Sequence, residues 1–253
     1  MPIIKGKNFP LKYKTRTKKW VNTSKHKIMS NSDDDIPALS AETFMALQEF
    51  YKEQEIKESK LKLAVASNDI KEIHIEEDWQ LSQFWYDQET VDFLANLAVK
   101  SVGPTGKIAL VSCPSLYKKT KELSGPEQEV ILFEYDKRFA VYGSDFHYFD
   151  YNYPLEVGEN MGKHFDLVVV DPPFLAEECL NKNYVAMKYL SKDKIILCTG
   201  AKMSKLAESM GLVKTEFVPK HKNNLGNEFC CYSNYDFSTI NTQSYKGIIY
   251  FLG

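Results

Sequence analysis

The sequence predicts an α/β fold: a Rossmann-like sheet, mostly parallel, that ends in an antiparallel C-terminal hairpin. From Gly106 onward, short apolar runs alternate with helical stretches, the pattern of strands joined by crossover helices. Several of those runs are continuously apolar, as strands covered on both faces should be. The alternation then stops, and the last two extended runs are separated only by residues 220–227, too few for a crossover helix. Those two should pair antiparallel.

The elements follow in chain order. A chain of 253 residues, 43% hydrophobic and 26% charged, suits one large domain with a real core. Residues 1–32 hold nine basic residues and no acid, and the polar run Ser32-Asp33-Asp34-Asp35-Ile36-Pro37 cannot bury itself. Residues 1–37 are therefore expected to be a disordered extension, basic and then acidic, ahead of a domain over 38–237 and a tail over 238–253. Ser40 is placed to cap a helix carrying Phe44, Leu47, Phe50 and Tyr51 on one stripe. A second helix carries Val91, Leu94, Ala95, Ala98 and Val102 and is stopped by Gly103-Pro104. Strands are expected at 107–112, 130–134, 146–150, 165–170 and 194–198, with helices at 176–190 and 202–210. The hairpin is expected from 216–218 and 228–235.

Composition excludes several functions. No apolar stretch approaches the roughly 20 residues that span a bilayer, and the basic first segment lacks the apolar region of a secretory signal. A soluble cytoplasmic protein is expected. Residues 33–253 carry 23 basic against 34 acidic residues, a formal charge of −11. Such a surface repels a phosphate backbone and favours a basic protein partner. The five cysteines show no CxxC spacing and are read as reduced core residues, and the scattered histidines predict no metal site.

The motif Asp171-Pro172-Pro173-Phe174 closes the apolar run 165–170 and so falls at a strand end, where such sheets bind ligands. Two prolines stiffen the backbone, so the Asp171 carboxylate and the Pro172 carbonyl can accept hydrogen bonds from an amine held there. Phe174 supplies an apolar, cation-tolerant wall. At the end of the second strand Glu134, with Asp136 as its neighbour, suits the hydroxyls of a ribose, and Asp150 at the third strand end could reach an adenine amino group. The first strand ends at Ser112 with no GxGxxG, which argues against NAD or FAD; S-adenosylmethionine, without phosphates, demands less of that turn. The stretch 79–86 is dense in aromatics and amides, and core packing suits such aromatics best; Gln83, Trp85 and Tyr86 are the weaker candidates to line a substrate site.

With these residues assembled, the chain resembles the lysine methyltransferases of translation elongation factor 1-alpha, a family formerly described as N6-adenine DNA methyltransferases. The resemblance runs through Ala38-Leu39-Ser40, Gln48-Glu49-Phe50-Tyr51, and residues 79–86, 133–139, 171–180, 194–200 and 217–236. It implies a seven-stranded class I methyltransferase fold, S-adenosylmethionine as cofactor, and elongation factor 1-alpha as the protein substrate, methylated on a lysine. The chain departs from the family by extending upstream of Met29 and beyond Asp236. The Asp-Pro-Pro-Phe motif equally resembles that of adenine, cytosine and glutamine amino-methyltransferases. An N6-adenine methyltransferase of DNA or RNA therefore stays open, as does a non-enzymatic protein that binds the elongation factor.

Overall fold

Ser40 accepts the Thr43 amide on its Oγ at 3.1 Å and opens α1 (Ala41–Ser67), which runs on through residues the apolar pattern leaves unassigned. Phe44, Leu47, Phe50 and Tyr51 are all exposed, so the stripe that predicts this helix faces no core. The computed structural model describes residues 40–67, 75–158, 160–223 and 225–240, and the chain divides into two units, 1–48 and 49–253. The expected N-terminal extension over 1–37 and residues 241–253 of the expected tail lie outside the described residues.

Within the second unit, seven strands form one sheet: β1 (Lys107–Val111), β2 (Glu129–Glu134), β3 (Phe146–Tyr148), β4 (Phe165–Val170), β5 (Ser191–Gly200), β6 (Val213–Lys214) and β7 (Phe229–Ser233). Their order is β3-β2-β1-β4-β5-β7-β6, with β1 to β5 parallel and β7 antiparallel between β5 and β6. The strand order reverses between β1 and β4, and the crevice beyond the carboxyl ends there is where such sheets hold ligands.

The continuous apolar runs have the expected cause. Ile108, Leu110, Leu132, Leu167, Val169 and Ile196 pack on one face with Leu94, Leu97 and Ala98 of α2 (Gln88–Val102). The alternate residues Ala109, Val111, Phe133, Val168, Val170 and Leu197 pack on the other with Leu180, Met187 and Leu190 of α4 (Glu177–Leu190). Two shorter α-helices, α3 (Tyr117–Leu123) and α5 (Ser204–Ser209), also lie among the described residues. Helix α2 ends as its sequence predicts, at Gly103 with φ of 72°, a conformation that favours glycine. All five cysteines are free and buried.

The hairpin differs from its expected position. Its first strand is 213–214, not 216–218: Gly211, at φ of 80°, turns the chain straight into β6. Pairing with β7 runs out once the Thr215 amide has reached the Cys231 carbonyl at 2.9 Å. The following residues leave the sheet and bond instead to the segment ahead of α2. The Asp87 amide donates to the Lys220 carbonyl and the Lys222 amide to the Trp85 carbonyl, at 2.9 and 2.8 Å.

Candidate active site

A cavity of about 500 Å³ opens at the carboxyl edge of the sheet, within the size range of small-molecule sites. Ser112, Glu134, Asp150, Asp171, Pro172, Pro173 and Phe174 all line it, so the residues expected at four strand ends converge. Gln83 and Trp85 line it too. Asp136 and Tyr86 are not on its wall but stand behind Glu134 and Asp171.

Ser112 follows β1 with φ of 55°, and its amide donates to the Phe133 carbonyl at 2.9 Å. A non-glycine residue in the left-handed region is uncommon, and such strain collects at functional sites. Here a serine makes the turn for which other nucleotide-binding sheets use glycine.

Glu134 ends β2 and is 5% exposed. Its Oε1 accepts the Asp136 amide at 3.1 Å and a long bond from the Gln83 side-chain amide at 3.5 Å. The same Gln83 Nε2 donates to Asp136 Oδ2 at 3.1 Å, while Gln83 Oε1 accepts the Asp78 amide at 3.0 Å. Asp136 is further claimed by Arg138, whose Nη2 lies 2.6 Å from Oδ2. The two acids therefore differ: Asp136 is ion-paired with Arg138, whereas no ion pair reaches Glu134 among the described residues. Burial, with the Asp136 charge adding to it, pushes the Glu134 carboxyl up to about 7.

Asp171 follows β4, its amide donating to the Val111 carbonyl at 3.1 Å. It is half-buried, keeping one side toward the cavity. Loss of hydration pushes its carboxyl up to about 7, with Glu134 adding to the rise and the Tyr86 hydroxyl opposing it. Phe174 is 44% exposed at the cavity mouth, its ring edge-on to Tyr151 at 5.9 Å.

Another part of the cavity wall is one the sequence does not reveal. His221, Leu225 and Asn227 from the β6–β7 connection and Phe229 at the start of β7 line the cavity, and His221 pairs backbone to backbone with Tyr86. These contacts join residues more than a hundred positions apart, beyond the reach of any local pattern.

A sheet of this strand order, with acids at the ends of β2 and β4 and an Asp-Pro-Pro-Phe turn, defines a class I methyltransferase architecture. Residues 77–237 match a family model described as "Probable N6-adenine methyltransferase". The chain is 51% identical over 82% of its length to EEF1A lysine methyltransferase 1 of Gallus gallus, spanning 98% of that protein. It is likewise 51% identical to the Homo sapiens protein of the same name, over 81% of this chain and 94% of that one. Among solved structures, the N-methyltransferase NodS from Bradyrhizobium japonicum, 13% identical, overlaps with a TM-score of 0.42 over 72% of this chain and 98% of that chain. At that distance it adds nothing to the strand order described above. The chain belongs to the EEF1A lysine methyltransferase 1 family.

Proposed function

We propose that this protein is a cytoplasmic, S-adenosylmethionine-dependent protein-lysine N-methyltransferase whose substrate is translation elongation factor 1-alpha. The observation that carries the proposal is the cavity in which two acids, Glu134 and Asp171, stand without a basic partner among the described residues. Such a cavity suits a cationic ligand with hydroxyl groups and no phosphate, and S-adenosylmethionine fits that chemistry. When bound, it supplies an electrophilic methyl group.

Glu134 would accept the ribose hydroxyls, held in place by the Asp136 amide and by Gln83. Asp150 would take the adenine amino group, and the tight turn at Ser112 brings backbone close to the ligand. Asp171 and the Pro172 carbonyl hold the N–H groups of the acceptor amine, and Pro173 keeps that turn rigid. Phe174, backed by Tyr151, walls the amine on its apolar side. Lysine is mostly protonated at neutral pH, its reference pKa being about 10.4, so it must lose a proton before its lone pair can attack. An ionised Asp171 draws the ammonium into the cavity, and desolvation there eases loss of the proton to solvent.

Adenine as acceptor is favoured by the name of the matching family and by the Asp-Pro-Pro-Phe motif. The formal charge of −11 over residues 33–253 weighs against a polyphosphate substrate. The test is labelled methyl incorporation into elongation factor 1-alpha, with adenine-containing DNA and RNA alongside. Label on the protein, lost with Asp171→Asn, is expected. Label on nucleic acid alone would overturn the lysine assignment.

A further inference from the structure

Tyr86 stands immediately before the aspartate that caps α2, with its ring 5.1 Å from that of His221 and its side chain 5% exposed. Its hydroxyl is fully enclosed and makes no hydrogen bond of ordinary geometry. The Asp171 carboxylate lies close enough for each group to feel the other, and the Cys198 thiol also neighbours the hydroxyl. A buried hydroxyl left without a partner costs stability, and phenylalanine would fill the same space without that cost. Burial pushes the phenol far above its usual range, so it stays protonated and can act only as a neutral donor.

We infer that Tyr86 is a positioning residue for methyl transfer: its O–H closes onto one oxygen of Asp171 when the acceptor amine binds, leaving the other oxygen for the amine. The inference rests on the reading of Asp171 as the acceptor-binding acid. The geometry favours this division of labour because Asp171 lines the cavity while Tyr86 stands outside its wall, so donor and incoming amine approach the carboxylate from different surroundings. Among the described residues, Glu134 at the end of β2 also acts on Asp171, and Asp171 in turn acts on the Cys113 thiol after β1 and the Cys198 thiol on β5. Glu134 disfavours the ionised aspartate through its charge, and both thiols stay protonated, their pKa values raised by burial and by neighbouring groups. Tyr86 is thus the neighbour whose hydroxyl, once turned onto Asp171, favours the charged form.

The test is Tyr86→Phe, which removes one oxygen atom. It calls for the melting temperature, cofactor affinity by calorimetry, and the pH dependence of transfer to elongation factor 1-alpha at saturating cofactor. The melting temperature should hold or rise and the affinity should stay within about twofold. The turnover should fall about tenfold at neutral pH, and the acid limb of the rate profile should move up by about one pH unit, because the ionised aspartate has lost a donor. An unmoved acid limb would overturn the inference, whether the rate holds or falls together with the melting temperature. Asp171→Asn is measured alongside. Wild-type transfer by that variant overturns the acceptor role of Asp171 and this inference with it. An inactive Asp171→Asn beside an unchanged Tyr86→Phe overturns the inference alone.

Discussion

At Asp171, burial and chemistry pull in opposite directions. The enclosure that suits an amine acceptor also disfavours the charge, and the carboxyl is held up to about 7. A carboxyl raised in the folded state binds more protons there than in the unfolded chain, so its burial costs stability increasingly as pH rises from about 4 to 7. Asp171→Asn should therefore stabilise the ligand-free protein at pH 8, by about 4 kcal/mol at most, and the advantage should shrink toward pH 5. Denaturant melts of both proteins at the two pH values check this. Glu134→Ala should weaken cofactor binding by roughly 1.5 to 3 kcal/mol in calorimetry, the worth of a charge-assisted hydrogen bond, while the fold persists. These two acids are legible in the sequence because each directly follows or ends an apolar strand. Ser112 is legible only as the absence of glycines; nothing local announces that a serine takes φ of 55°. Ser112→Gly should change stability by less than about 0.5 kcal/mol, relief of strain offsetting the added freedom of the unfolded chain, whereas the β-branched Ser112→Val should cost about 1 to 2 kcal/mol.

The site also depends on two irregular segments, residues 75–87 and 215–228, which brace one another. Glu77 accepts the Trp79 indole and the Trp85 amide, both at 2.9 Å, and also bonds Asn223. Asp87 caps α2 by accepting the Thr90 amide at 2.8 Å, and Thr90 Oγ1 in turn accepts the Lys220 amide at 2.9 Å. Asp87→Ala should lower stability by about 1 kcal/mol in chemical denaturation, the usual worth of such a cap. Helices and central strands are readable because their apolar spacing repeats within a few residues, as in α2 and β4. The β6–β7 connection is not, since residues 216–218 read as a strand only until the length of β7 is known. Its contribution of His221 and Asn227 to the cavity is hidden for the same reason.

Across the whole molecule, the acidic charge of residues 33–253 and the uncompensated acids of the cavity point the same way, toward a cationic ligand and a basic protein surface. Among the described residues no helix is long and apolar enough to cross a membrane. The central claim is that Asp171 receives a lysine amine, and lysine differs from adenine in the proton it must shed. The most direct measurement is the rate of methyl transfer to elongation factor 1-alpha at saturating cofactor between pH 6 and about 9.5, for the native protein and Asp171→Asn. The native rate should climb through pH 8 and 9 as more of the lysine loses its proton, and Asp171→Asn should transfer far more slowly at every pH. A flat profile, or an Asp171→Asn profile that overlies the native one, would contradict it.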